Sequence, residues 1–205
     1  MFLDLPTPPL LVLSSRSPRR AAVLAQLGLA FEISPVDLDE RPLPGEVPAS
    51  MAERLAREKA RRGASPRAIS LGFDTLVSHQ GEILGKPATE DDACRMLVGL
   101  AGEEHEVFTG VAAATPERIE SVVERTRVRF RPFSREEAAA YVSTGEPMDK
   151  AGAYGIQGAG AALVASVEGD FFNVMGFPIQ GFQSLLARFG WRYGFGEIVA
   201  IEPED

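Results

Sequence analysis

The residues best suited to chemistry gather first in the loop Ser15-Arg16-Ser17-Pro18-Arg19-Arg20. Hydroxyl and guanidinium groups are anion ligands, and an arginine presents a planar fork that matches phosphate oxygens. The loop follows an apolar run at residues 9–15 (PLLVLSS) and precedes a helical stretch for which Ser17 is a good N-cap and Pro18 a good first residue. A helix N-terminus offers unpaired N–H groups and a favourable dipole to an anion, so arginines placed there oppose the dipole and need a reason. In isolation, SPRR reads better as a solvated basic turn or a modification site; the strand and cap around it reverse that preference.

Asp74 lies inside the apolar stretch Leu71-Gly72-Phe73-Asp74-Thr75-Leu76-Val77, where an unpaired carboxylate would carry a large desolvation cost. It therefore needs a partner. A metal ion would serve, as would a lysine or a water that the carboxylate deprotonates; a structural ion pair with Lys59 or Lys86 is the plainer alternative. Glu40 ends the acidic tip Asp37-Leu38-Asp39-Glu40 and is a candidate oxygen ligand for Mg²⁺, which takes one or two carboxylates plus substrate phosphates. Taken alone, that tip reads as a solvated turn. Lys59 and Lys86 are candidate phosphate neutralisers, with a surface reading of Lys59 nearly as good. Gln157, set among small residues in Gly152-Ala153-Tyr154-Gly155-Ile156-Gln157-Gly158, offers an amide that a base edge could approach closely.

Composition narrows the choice of partners. The 205-residue chain, 45% hydrophobic and 24% charged, has the makings of an ordinary globular core. Its formal charge of −8 argues against a general nucleic-acid binder, since that affinity rests on many basic contacts with phosphates. An anionic substrate must then meet a local positive cluster. A single cysteine, Cys94, forms no internal disulfide and points to a reducing, cytoplasmic compartment. The apolar start, interrupted by Asp4 and prolines, is a poor signal peptide, and no apolar run is long enough to span a bilayer, so no membrane partner is expected. The sequence contains neither a Walker A nor a GxGxxG string, and His79 and His105 have no Ser or Cys nucleophile frame around them.

The elements that must position these residues can be sketched. Strands are expected at residues 9–15, 31–36, 68–78, 82–84, 107–114, 119–130, 162–167 and 171–174, with a hairpin turn at Gln80-Gly81. Helices are expected after Ser17, from a capping-box spacing at Ser50 and Glu53 through Arg62, from Thr89 to about Leu100, from Ser134 to before Gly145, and over residues 178–189. No linker separates independent units, so a single mixed α/β domain over residues 1–205 is expected.

The ordered blocks SRSPRR, VDLDE, LAREKA, GFDTLV, GKP, FTGV and GEPMDKAGAYGIQG resemble the Maf-family nucleotide pyrophosphatases over nearly the whole chain. That resemblance implies an elongated, curved β-sheet with flanking helices and two lobes around a central cleft, related to inosine-triphosphate pyrophosphatases. It implies hydrolysis of a nucleoside triphosphate between the α and β phosphates, with a divalent cation, Mg²⁺ or Mn²⁺, as cofactor. By matching motif, Asp74 would accept the proton, Ser15, Ser17, Arg20, Lys59 and Lys86 would contact phosphates, and Glu40 with Asp74 would hold the metal.

Relatives resembling the 7-methyl-GTP enzymes carry Trp, Gln and Glu where this chain has Arg19, Thr75 and Gln157. The combination here resembles the dTTP/UTP branch, with CTP as a further candidate, and implies that these residues choose the base. Arg16 departs from the small or uncharged residue usual at its position. The resemblance also implies removal of noncanonical or surplus nucleotides, a homodimer, and an association with inhibition of septum formation through a cell-division partner.

Overall fold

The opening apolar run becomes β1 (Leu10–Leu13), which leads into α1 (Pro18–Gln26) and back to β2 (Phe31–Ile33) in parallel beside it. The structure, a computed structural model, describes residues 7–202; the apolar start with Asp4, read as a poor signal peptide, lies outside them. After α2 (Pro48–Arg62) the chain enters β3 (Ala68–His79), which turns at Gln80 and Gly81, both with positive φ, into β4 (Glu82–Leu84). Then come α3 (Glu90–Leu100), the long hairpin β5 (Glu104–Ala114) and β6 (Ile119–Phe130), and α4 (Arg135–Val142). Short 3-10 turns cover Glu146–Asp149, Ala151–Ala153 and Ala159–Leu163 before β7 (Val164–Glu168), α5 (Phe171–Val174) and α6 (Ile179–Arg188). A separate hairpin, β8 (Trp191–Tyr193) and β9 (Ile198–Ala200), ends the described chain.

Seven strands form one mixed sheet in the order β2-β1-β3-β5-β6-β7, with β4 also on β3. β1 pairs parallel with both β2 and β3, and the remaining pairs are antiparallel. Ten of the twelve residues of β3 are buried, as expected for a strand covered on both faces. Two large apolar cores lie along the sheet, with two smaller clusters under α2. One gathers Leu13, Leu24, Leu71, Phe73, Phe177 and Phe182 under α1 and α6; the other gathers Val77, Leu97, Phe130, Tyr141 and Tyr154 under α3 and α4. β3 runs from the first core into the second, and Asp74 and Thr75 lie on the stretch between Phe73 and Val77. The mixed α/β fold, one large sheet flanked by helices, agrees with the sequence reading.

α2 lies unusually close to the sheet because small residues meet there. Ala52, Ala56 and Ala60, one turn apart, are fully buried, and they face Gly72 on β3 and Gly110 on β5. A methyl group at Gly72 would strike the Ala56 carbonyl oxygen, and one at Gly110 the Ala52 carbonyl oxygen. These glycines are therefore a packing requirement rather than a source of flexibility.

Several expectations need correction. Residues 171–174 form a helical turn, not a strand: Asp170 accepts a hydrogen bond from Phe172 N at 2.8 Å, and Gly169 and Gly176 turn the chain with positive φ on either side. α2 begins at Pro48, so Ser50 lies inside the helix and is no N-cap; Pro48 occupies a first-turn position where its missing N–H costs nothing. β2 stops at Ile33, three residues short of the expected end. Ser17 does occupy the N-cap position of α1, but its side chain makes no capping bond. The caps at Thr89 and Ser134 form as expected, the latter as a full capping box. No helix among the described residues is long and apolar enough to cross a membrane.

Candidate functional site

β1 covers β3 only over Ala68–Leu71, and β4 covers it only over Val77–His79. Between them, residues 72–76 have no strand partner on that edge among the described residues. A cleft of about 740 Å³ opens there, in the size range of small-molecule sites. The carboxyl ends of β1 and β2 point toward it, the usual ligand side of parallel strands. Because a strand edge exposes side chains from both faces, Asp74 reaches the cleft from the α2 face and Thr75 from the α1 face.

On the α2 face, the close seating of the helix brings Lys59 against the sheet. Its Nζ lies 2.6 Å from Asp74 Oδ1 and 2.6 Å from Glu40 Oε1. Lys59 and Asp74 are both buried, which corrects the surface reading of the lysine and identifies it as the partner that Asp74 needed. Burial raises the Asp74 carboxyl above the usual carboxylate range against the opposing pull of Lys59 and Arg20. Burial also acts to raise Glu40, but there the hydrogen bond and charge of Lys59, with Lys86 and Arg20, outweigh it and lower the group. Asp37 and Asp39 stay exposed, as a solvated turn would have them, in surface pairs: Asp37 with Arg16 at 2.7 Å, its carbonyl accepting from Arg62, and Asp39 with Arg41 at 2.5 Å. Arg16 thus has an exposed ionic partner of its own.

On the α1 face, Arg20 is held at three points. Its Nε donates to Gly176 O at 3.0 Å, Nη1 to Ser15 Oγ at 2.8 Å and Nη2 to Thr75 Oγ1 at 3.0 Å, and the guanidinium sits 5.5 Å from the centre of the Phe73 ring. Burial lowers its pKa to about 10, with Asp74 pulling the other way, so it stays charged at neutral pH. An arginine has five N–H donors, so a fixed Arg20 keeps others for an anion. Ser15 Oγ also accepts from Ser17 N at 3.2 Å, which shapes the loop and leaves its own proton to donate. Thr75 shares a hydroxyl contact of 3.1 Å with the buried Thr109, whose hydroxyl donates to Asn173 O. Thr75 is therefore engaged in seating Arg20, a contact that the sequence did not suggest.

Arg19, one residue earlier, crosses the cleft to Asp149 at 3.2 Å, and Lys150 Nζ contacts Asp149 Oδ1 at 2.6 Å. Lys86 and Gln157 are exposed on the rim. All ten residues selected from the sequence, from Ser15 to Gln157, line this one cleft. Asp149 and Lys150 line it too and were missed, although both stand in the GEPMDKAG block. For a metal, the side chains present are the two carboxylates of Glu40 and Asp74, which converge on one cation, the Lys59 ammonium. Among the described residues no group of three or more His, Cys, Asp or Glu gathers in a metal-sized cluster. Two hard oxygen donors fit an ion of the magnesium type whose other positions are filled by water and phosphate.

Comparison with known proteins places this geometry in context. The family model described as Maf-like protein matches residues 10–189. A dTTP/UTP pyrophosphatase of Moorella thermoacetica is 51% identical over 184 residues, covering 88% of this chain and 95% of that protein. One of Anaeromyxobacter dehalogenans is 51% identical over 188 residues, covering 89% and 95%, and one of Symbiobacterium thermophilum is 48% identical over 183 residues, covering 88% and 94%.

Proposed function

This chain belongs to the Maf-like protein family, and from that premise we propose that its cleft hydrolyses dTTP and UTP between the α and β phosphates, releasing the nucleoside monophosphate and pyrophosphate. Relatives about half identical over nearly their whole length carry that activity in their names. The observation that carries the reading is the convergence of a buried carboxylate, Asp74, with Lys59 and a fixed arginine, Arg20, at the uncovered edge of β3.

In this reading the α1 N-terminus, Ser15, Ser17, Arg20 and Lys86 hold the phosphate oxygens by charge-assisted hydrogen bonds. Lys59 occupies Oδ1 of Asp74 and fixes the carboxylate, leaving Oδ2 to take the proton of the attacking water. Water oxygen bonds to the α-phosphorus, the bond from that phosphorus to the bridging oxygen breaks, pyrophosphate leaves, and the proton rests on Asp74. Arg20 and Lys86 lie where they can meet charge developing on the leaving group. A divalent ion held by Glu40 and Asp74 would supply Lewis-acid stabilisation of the phosphoryl oxygens. Arg19, reaching across from α1 to Asp149, and Gln157, on the rim beyond, would face the base. A cytoplasmic pool of nucleotides is the natural source of substrate.

The test is a panel of triphosphates with Mg²⁺ or Mn²⁺, following pyrophosphate release. The expected result is turnover of dTTP and UTP above 7-methyl-GTP; release from 7-methyl-GTP alone overturns the substrate assignment, and release of orthophosphate in place of pyrophosphate overturns the reaction.

A further inference from the structure

The glycine-rich segment carrying Gln157 folds around a side chain outside the cleft lining. Glu146 Oε1 accepts from Tyr141 Oη at 2.8 Å and from Gly160 N at 3.2 Å, and its Oε2 accepts from Ala159 N at 2.8 Å. Tyr141 Oη in turn accepts from Gly155 N at 3.0 Å. The carboxylate and its tyrosine thus hold both ends of the stretch from Gly155 to Gly160.

The close approach favours glycine at these positions, most strictly at Gly158 and Gly160. A methyl group at Gly158 would fall on Glu146 Oε2, one at Gly160 would lie 2.6 Å from Tyr141 Oη, and one at Gly155 would lie 2.7 Å from Lys150 Cε. None of these three glycines has positive φ, so left-handed backbone does not explain them. Close wrapping around a carboxylate does. Ile156 anchors the segment in the second core, but its glycines and Ala159 bring little to pack, and their backbone N–H groups must find acceptors. Burial acts to raise the Glu146 carboxyl, but the bonds from Tyr141, Ala159 and Gly160 outweigh it, so the acceptor stays ionised.

We propose that Glu146 is a positioning residue for base selection: its carboxylate fixes the 155–160 turn, and through the turn the place of the Gln157 amide, without touching substrate. The same residue's backbone carbonyl accepts from Lys150 Nζ at 2.5 Å, so one residue sets two groups on that side of the cleft. The inference rests on Gln157 meeting the base.

The experiment compares kcat and KM for dTTP, UTP and GTP in the wild type, Glu146→Gln, Tyr141→Phe and Gln157→Ala, with circular dichroism melting to confirm folding. Glu146→Gln keeps the shape but turns an N–H donor toward other N–H donors. It is expected to raise KM for dTTP and UTP about tenfold and to erode their preference over GTP, with kcat within about twofold, as for a lost charge-assisted contact remote from the reacting atoms. Tyr141→Phe should show the same pattern, smaller. A folded Glu146→Gln with wild-type preference beside a Gln157→Ala that has lost it overturns the positioning role alone. An unchanged preference in Gln157→Ala overturns the base contact and the inference with it. A fall in kcat at constant KM also overturns the proposal. Should Glu146→Gln fail to fold, Tyr141→Phe decides: an altered preference supports the role, and an unaltered one overturns it.

Discussion

The α2 side of the cleft and the glycine-rich side hold their polar groups by opposite means. Lys59 and Asp74 project from a helix and a strand pressed together through Ala56, Ala60, Gly72 and Gly110, so their positions follow from backbone packing. Gln157 projects from a turn that Ile156 alone anchors in a core and that hydrogen bonds to Glu146 and Tyr141 shape. Packed elements resist small displacements, which suits a carboxylate that must meet a water with little error. A hydrogen-bonded turn can change its presented side chain without disturbing a core. The contrast suggests that the first region carries the reaction and the second carries the choice of base.

Variants in the two regions should therefore fail differently. Among variants that keep Asp74 itself, the largest effect is expected for Gly110→Ala, whose methyl collides with α2. Overpacking of about 1–3 kcal/mol or more should lower the melting temperature, and a shift of ~1 Å at Asp74 should cost roughly 100-fold in kcat for every nucleotide. Arg20→Ala comes next. Loss of a charge-assisted contact of about 1.5–3 kcal/mol should lower kcat/KM by roughly 10- to 100-fold, equally for dTTP, UTP and GTP. Gln157→Ala should change the ratio between nucleotides by about tenfold and leave melting unmoved. If Arg20→Ala altered preference, or Gln157→Ala altered kcat uniformly, the division between the regions would fail.

The smallest effect is a displacement along the pH axis. Asp74 is raised above its ordinary value of 3.8 and must be ionised to accept a proton, so kcat/KM should fall as pH drops through a midpoint above that value. Lys59 opposes the rise, so Lys59→Met should move the residual acid limb to higher pH; an unmoved limb would separate Lys59 from the titration of Asp74. The sign for stability is opposite. A carboxyl raised in the folded state contributes stability that is present below its unfolded pKa and is lost as pH rises through its folded value.

Much of the α1 and α2 sides of the cleft was legible in the sequence because both rest on regular elements. Strand, cap and proline placed the Ser15–Arg20 loop, and a lone Asp inside an apolar strand demanded a partner. The burial of Lys59 was legible in principle: it falls four residues after Leu55 and seven after Ala52, on the stripe that α2 turns to the sheet. Reading Lys and Glu as a solvated face hid it. Asp74 and Thr75 adjoin in sequence but serve opposite faces, and the engagement of Thr75 with Arg20 needed the tertiary structure. Glu146 was harder still, since its role lies in accepting from backbone N–H groups of a turn without periodicity. The spacing of Gly155, Gly158 and Gly160 was the available signal. Residues 171–174 went wrong because four apolar and amide residues suit a strand or a helical turn alike, and the Asp170 cap decides between them.

Steady-state kinetics of Asp74→Asn across dTTP, UTP and GTP test the central claim most directly. The amide keeps the shape but cannot take a proton, so kcat should fall by about 10²–10⁴-fold for each nucleotide while the order of preference stays as in the wild type. Full pyrophosphate release by this variant, or a changed order of preference, would contradict the assignment of the reaction to the packed side of the cleft.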